Sequence, residues 1–565
     1  MQRKMRKPLK PSELKMRRIN ALLQELHPKE ILEQPLSSDL DYNIKLMKEL
    51  FGNSSDFVIR EFHFGSDKEI RIALFYIDGL VDKNALSEAV LKPLLYRTIV
   101  DEERKLLPGD AFELIRDWLI TFTSTKEVEK YGDVLDLVLA GFAALFVDGS
   151  DRALAPEVKG WKDRSIEEPK TESFVRGPRD GFTETLRTNT ALIRRRIRTP
   201  RLRFEMYQVG RVTKTDVCVA YIDGLVNPAT VDEVKRRITS IDTDSILESG
   251  YLEDFIKDRA WTPFTLLDRT ERPDKVAAAL VEGRVAILVD NTPFALIVPA
   301  VFSEFLQSAE DYYDWSESAR TLRWLAIFIT LTLPSFYVAL TTFHQEMIPA
   351  GLALSMAAGR EGVPFPAVIE ALIMEITFDL LREAGTRMPR SIGQTLGVVG
   401  AIVLGQAAVM AGIVSPFIVI VVALTAVTSF LIPNYSASLT IRLLRYPMLI
   451  LAGFMGLVGV FLGLLAILLH MASLRSFGVP YLYPLAPAVP AEWQDVFYRA
   501  PWWKMDLRPL LLRSPNRRRQ AEGQRPEPPP VRPGKAVEAL IEGGDEGMSS
   551  SGDQAGSGEE QKGSS

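Results

Sequence analysis

Hydrophobic and polar positions divide this chain into two zones. Up to about residue 290 the apolar residues form short runs, each stopped by a turn and separated by charged stretches with helical spacing. Beyond it the apolar runs lengthen, and from Ser391 to Ile441 there is not one charged residue. In the first zone Ile70-Arg-Ile-Ala-Leu-Phe-Tyr-Ile77 ends at Asp78-Gly79, the pattern of a buried strand closed by a turn. Helical spacing follows over Asn84–Leu95, then a second short strand over Ala143–Val147 that stops at Asp148-Gly149.

This pattern occurs twice. Tyr76-Ile-Asp-Gly-Leu-Val81 returns as Tyr221-Ile-Asp-Gly-Leu-Val226, 145 residues on. Gly141-Phe-Ala-Ala-Leu-Phe-Val-Asp148 returns as Gly283-Arg-Val-Ala-Ile-Leu-Val-Asp290, 142 residues on, and each is followed by an Ala-Leu pair. Two landmarks at nearly one offset predict a duplicated domain, with strands of the second copy near Val217–Ile222 and Val285–Val289. Strands alternating with helices make each copy a small α/β unit. Asp78-Gly79 and Asp223-Gly224, with Asp148 and Asp290, are read as strand-end turns, since Asp-Gly is favoured turn chemistry.

In the second zone Trp324–Phe343 is uncharged, and ~20 residues at 1.5 Å each cover the ~30 Å hydrocarbon core. Ser415-Pro416 breaks the long uncharged run into spans near 393–413 and 416–433, and Tyr446–Leu469 reads as one further span. Pro293–Leu306, short and carrying Glu304, is expected as an interfacial or re-entrant helix. Phe365–Glu383 is apolar but interrupted by charge. The positive-inside rule does not close on this set. Arg382, Arg387 and Arg390, then Arg442 and Arg445, then Arg517-Arg518-Arg519 cannot all share the side of a cytoplasmic N-terminus, whether or not 365–383 crosses, unless 293–306 crosses too.

The expected fold is an α/β tandem repeat domain of two similar subdomains followed by an all-α polytopic membrane domain. Along the chain this gives a basic lead-in (1–55), a first repeat (56–156), a polar linker with a basic helix (157–202) and a second repeat (203–298). A membrane domain of four to six spans (299–473), an aromatic- and Pro-rich juxtamembrane segment (474–513) and a disordered tail (514–565) follow. The basic run Arg194-Arg195-Arg196-Ile-Arg198 is read as a solvated or membrane-facing helix face rather than a nucleic-acid site. Met1–Arg18 is basic without an apolar core, so it is not read as a signal peptide, and the N-terminal domain is expected in the cytoplasm.

Composition adds little: 47% apolar and 25% charged is a soluble average that mixes the two zones, and the net charge of −5 points to no partner. Cys218 is the only cysteine, which excludes disulfides and a cysteine-based zinc site. His27, His63, His344 and His470 have no ligand spacing, so neither metal nor cofactor is expected. No phosphate loop, nucleophile elbow or HExxH motif occurs, and no catalytic residue is assigned. His344-Gln-Glu346 is read as surface anchoring.

The sharpest candidate lies in Phe365–Glu383. Pro366 suits a first helical turn. At 100° per residue Glu375, Asp379 and Arg382 share one stripe, with Glu370 well away from it. Carboxylates at membrane depth are costly unless paired or watered. The stripe therefore reads as an ion-pathway lining, with the acids attracting cations, as a structural Arg382–Asp379 pair, or as the polar side of an amphipathic helix lying at the interface. Gly393-xxx-Gly397 and Gly459-xxx-Gly463, with Gly456, let helices approach closely, within one chain or between copies.

Further blocks carry a resemblance. Gly177-Pro-Arg-Asp-Gly-Phe182, Asn189, Leu192-Ile-Arg-Arg-Arg-Ile197, Glu310-Asp-Tyr-Tyr313, Pro364-Phe-Pro366, Leu381-Arg-Glu-Ala-Gly385, Gly405-Gln-Ala-Ala408, Val414-Ser-Pro416, Ile432-Pro-Asn-Tyr435 and Gly478-Val-Pro-Tyr481 resemble the GerA spore-germination family, A-subunit type. The match runs over roughly 40–510. A paralogous branch, the stage-V sporulation AF-like proteins, shares these blocks. The resemblance implies an integral protein of the spore inner membrane. It implies a transporter-like B subunit and a lipoprotein C subunit as partners, and no nucleic acid. It further implies a nutrient germinant receptor whose A subunit forms a homo-oligomeric, ligand-gated cation channel, with Glu370, Glu375, Asp379 and Arg382 at family positions. A non-conducting signalling scaffold is the alternative. A secondary transporter is a third reading, though no inverted repeat is read in the membrane half.

Overall fold

The computed structural model describes residues 28–64, 70–92, 94, 108–119, 125–160, 168–169, 172, 176–313, 319–387, 403–521 and 523–526. It divides into two units. The larger holds the residues to Ala500 with Leu507–Arg519, and the smaller holds Pro501–Asp506 and the residues from Gln520. In the smaller unit the Gln520 amide donates to the Trp502 carbonyl (2.5 Å), and Arg525 lies over the Trp503 ring.

Two five-stranded sheets carry the duplication. The first has β1 (Phe57–Phe64), β2 (Ile70–Ile77), β3 (Thr125–Val128), β4 (Ala144–Val147) and β5 (Ala153–Pro156), in the order β1-β2-β4-β5-β3. The second has β6 (Leu202–Val209), β7 (Thr215–Ile222), β8 (Asp268–Thr270), β9 (Val285–Val289) and β10 (Ala295–Val298), in the matching order β6-β7-β9-β10-β8. Every pairing is antiparallel. The central strands are apolar on both faces because helices cover both. Along β2, Ala73, Phe75 and Ile77 enter one core while Ile72, Leu74 and Tyr76 enter the other. Along β7, Val217 and Val219 face one core, and Cys218, Ala220 and Ile222 the other. Cys218 thus packs as a small apolar side chain.

Pro293–Leu306 is not a membrane-surface helix. Ala295–Val298 is strand β10, paired with both β8 and β9, and Phe302–Leu306 is a buried 3-10 turn. A four-residue apolar run has no periodicity that tells a buried strand from a helix.

The helix Leu186–Arg196 stands to the second sheet as Leu40–Phe51 does to the first. Asp290 accepts from the Leu186 N–H (3.0 Å), and Asp148 from the Leu40 N–H (3.3 Å). The side chains of Asn189 and Asn43 each donate to a carbonyl six residues upstream, at 2.6 Å. Asp148 and Asp290 therefore tie a helix N-terminus to a strand end, beyond closing a turn. The basic run of this helix is not a solvated face. Arg194 is fully buried and bonds Asp56 of the first subdomain through two nitrogens (2.8 and 2.9 Å), while Arg196 holds Asp180.

The first long apolar helix, Ala319–Phe343, leaves the second subdomain through a charged collar. Asp311 binds Arg320 (3.2 Å) and Arg323 (2.6 Å), and Arg320 reaches Asp495 (2.7 Å). Then come Ala350–Arg360, Ala367–Arg387, a helical stretch over 403–410, Pro416–Ser429 and Tyr435–Ser473. Two of these, Ala319–Phe343 and Tyr435–Ser473, are long and apolar enough to cross a membrane.

Tyr435–Ser473 is not one crossing. Gly456 sits at φ 59°, ψ −139°, and breaks it into limbs 435–455 and 457–473. A methyl group on Gly459 would strike the Leu451 carbonyl, and one on Gly463 would strike the Met448 sulfur, so the second limb folds back along the first. The ends agree. Thr440 on the outgoing limb donates to the Pro263 carbonyl (2.6 Å), and His470 on the returning limb bonds Thr262 (3.0 Å). At 1.5 Å per residue the limbs measure about 31 and 26 Å. The apex rests against Phe343 and His344 at the far end of the first helix.

Candidate functional site

The helix Ala367–Arg387 runs from the apex level back toward the α/β domain. Val368 abuts Gly453 near the apex, while Arg382 donates to Ser429 (2.7 Å) at the end nearer the domain. Pro416–Ser429 runs the same way, from Ser415 beside Tyr337 (3.3 Å) to Ser429, whose carbonyl accepts from Ser438.

Between these levels the acidic stripe meets the outgoing limb of the hairpin. Glu375, 1% exposed, pairs with Arg445 at 2.8 Å, itself 3% exposed. Asp379 faces Arg442 (3.5 Å) and Arg445 (3.8 Å) and accepts from the Tyr446 hydroxyl (2.7 Å). Arg382 does not take Asp379. It bonds Ser429 and stacks over Phe430 (4.4 Å). Glu370 belongs to a separate site near the far end, where it binds Arg360 (3.1 Å) and the Ser415 N–H (2.9 Å), capping the helix that starts at Pro416. The cluster of Glu375, Asp379, Arg382, Arg442 and Arg445 has one more cation than anion. It is also incompletely bonded: Glu375 Oε1 and the Nε atoms of Arg382, Arg442 and Arg445 are buried with no hydrogen-bond partner among the described residues.

The remaining sequence-selected residues are placed as follows. Asp78 holds Lys83 (2.9 Å) and Arg187 (3.4 Å) at the seam between subdomains, and Asp223 faces Arg203 (3.4 Å). Gly79 and Gly224 take φ of 96° and 80°, as their turns require. Gly456, Gly459 and Gly463 build the hairpin within one chain, whereas Gly393 and Gly397 lie outside the described residues. Arg442, Arg445 and Tyr446 were not selected by sequence. Their only signal was basic residues three apart beside an apolar run, which also reads as a membrane-boundary marker.

Comparison with known proteins decides the family. The family described as "Bacillus/Clostridium GerA spore germination protein" matches residues 45–511. This chain belongs to the GerA family. Its relatives include "Spore germination protein KA" of Bacillus subtilis (strain 168), 46% identical over 496 residues, 87% of this chain and 90% of that one. "Spore germination protein GerLA" of Bacillus cereus is 40% identical over 84% of this chain and 97% of its own. "Uncharacterized membrane protein YfkQ" of Bacillus subtilis (strain 168) is 43% identical over 90% and 97%. The crystal structure of the N-terminal domain of the A subunit of the Bacillus megaterium spore germinant receptor GerK3 is 40% identical, covering 48% of this chain and 98% of that one at a TM-score of 0.38. The GerA-family chain is thus an A-type, non-enzymatic membrane subunit of a germinant receptor that acts in spore germination.

Proposed function

We propose that this A subunit assembles with its own copies into a ligand-gated cation channel of a nutrient germinant receptor in the spore inner membrane, beside a transporter-like B subunit and a lipoprotein C subunit. The observation carrying this reading is the buried cluster around Glu375 and Asp379. Ionisable groups inside a membrane are expensive and mark ion paths or switches. Here the two acids are occupied by Arg445, Arg442 and Tyr446, while several donor and acceptor atoms go unused. That is the closed arrangement of a bistable network, since a half-satisfied buried network gains by exchanging partners. Opening moves the hairpin limb away from the 367–387 helix and frees the carboxylates for cations.

The helix directions support a topology. With the hairpin counted as two passes, Arg382 and Arg387, Arg442 and Arg445, and the C-terminal segment all fall on the side of the α/β domain. With that domain in the cytoplasm these clusters satisfy the positive-inside rule, and Arg360 at the far end is paired with Glu370.

Monovalent-cation flux tests the function, in membranes holding this protein with its receptor partners. Glu375→Gln/Asp379→Asn at equal assembly should lower nutrient-triggered flux. Flux unchanged in the double variant would move the lining elsewhere. A receptor that answers nutrient without any flux would favour the second reading, a non-conducting scaffold. One observation favours that reading: Glu375 is neutralised within its own protomer.

A further inference from the structure

Where the returning limb of the hairpin re-enters the second subdomain, the structure forms an open cleft of about 940 Å³. Four arginines line it, Arg237, Arg259, Arg475 and Arg513, against two acids, Glu233 and Asp258. Both acids are already taken. Arg237 binds Glu233 (2.7 Å) and also Asp258, Arg236 adds a second contact to Glu233 (2.7 Å), and Asp258 accepts from the Phe477 N–H (2.5 Å). Arg236 and Arg237 hold the Glu233 carboxyl down to about 2. Arg237 is further fixed over the Phe477 ring (4.3 Å) and forms part of the wall. Arg475 and Arg513 are exposed, and neither meets a carboxylate among the described residues. Arg259 donates to the Ser473 hydroxyl (3.1 Å) and meets no carboxylate among the described residues. The cleft therefore holds uncompensated positive charge, and the N-terminal turn of the helix Pro228–Thr239 adds to it.

Its depth identifies the anion. Leu465, Leu468 and Leu469 on the returning limb are exposed apolar residues of a membrane-crossing segment. The helix ends at Ser473, four residues or ~6 Å of rise beyond Leu469, and Arg475 follows in extended chain, at the outer side of a headgroup layer ~5–7 Å thick. Trp261 is 92% exposed, and its neighbour Thr262 bonds His470, so an indole stands at the same level. Exposed Trp beside Arg is the signature of the bilayer interface.

We propose that this cleft binds the phosphate of an anionic phospholipid headgroup, gripped by Arg475 and Arg513 with Arg259 at its rim. The guanidinium fork suits phosphate oxygens, and apolar Leu474 and Val479 in the lining suit the glycerol end of a lipid.

The test uses the full-length protein in nanodiscs of phosphatidylcholine containing a photoreactive phosphatidylglycerol, with cross-linked peptides mapped by mass spectrometry. Labelling should concentrate on peptides around Arg475 and Arg513. It should fall by on the order of tenfold in Arg475→Gln/Arg513→Gln, because each basic residue at an anionic surface contributes several-fold. The control Arg211→Gln, which alters an exposed pair with Asp242, should leave labelling unchanged. Arg475→Lys/Arg513→Lys should recover part of it, separating lost charge from lost fold. Equal labelling in wild type and the Gln variant overturns the site. Displacement by millimolar inorganic phosphate also overturns it, because the cleft would then be a soluble-anion site.

Discussion

Arg445 sets the charge balance of the membrane half, since it touches both acids of the stripe. Removing one member of a buried pair strands the other, at a cost of about 3–5 kcal/mol, whereas replacing both with apolar groups is close to neutral. Arg445→Met should therefore lower the thermal stability of the detergent-solubilised protein more than Arg445→Met/Glu375→Met does. A double variant at least as unstable as the single would show that the pair does not couple. A second residue-scale expectation concerns acid. Burial works against ionisation of Asp311, but Arg323 and Arg320 overrule it and hold the carboxyl below its usual range. The stability this group supplies is present above the ordinary aspartate range and is lost as pH falls through the depressed value. Asp311→Asn should remove that part of the acid dependence, read as melting temperature against pH. An unchanged acid limb would place the effect elsewhere. Single residues explain what sequence reading could and could not reach. The Asp-Gly turns were legible because turn chemistry is local. The partners of Glu375 and Asp379 lie about seventy residues away, on another helix, and no spacing rule reaches that far. Arg194 misled for the same reason: its carboxylate, Asp56, belongs to the other subdomain.

Among the elements, the hairpin departs most from its sequence pattern. A continuous apolar run reads as one span because hydropathy records composition and not direction. The break rests on Gly456, whose φ and ψ are open essentially to glycine alone. Its added methyl would also sit 2.9 Å from Phe343 and His344. Gly456→Ala should thus disturb the reversal and lower the amount of protein recovered in membranes, at a cost of about 1–3 kcal/mol. Wild-type recovery and melting temperature would show that the turn tolerates a side chain. Four central strands, β2, β4, β7 and β9, were by contrast legible, because each is a short apolar run that recurs in both copies, stopped in each by a turn or an aspartate. The other six, β1, β3, β5, β6, β8 and β10, were not: β1 and β6 carry charge, and the rest are three or four residues long.

At the scale of the whole molecule, one continuous core joins the second sheet to the membrane helices. It runs from Val217 and Val285 through Phe264, Phe302 and Tyr481 to Leu331 and Met448. The first subdomain has its own cores and meets the second at the Arg194–Asp56 joint. The proposed topology makes a checkable statement here. The sole native thiol, Cys218, is buried, so single introduced cysteines report cleanly. Asp254→Cys in the domain and Asn516→Cys after the last membrane limb should react with a membrane-impermeant reagent from the same face, and Glu346→Cys from the opposite one. Reaction of Asp254→Cys and Asn516→Cys from opposite faces would rule out the two-pass hairpin.

Thr440 and His470 plant both feet of that hairpin on adjoining residues of one loop, Pro263 and Thr262. A rod anchored at one end can slide or spin about its axis. A staple with both prongs in the same block can do neither, and only tips with the block. Any rotation of the second subdomain is therefore geared directly into a tilt of the prong that bears Arg442 and Arg445, with little slack to absorb the stroke.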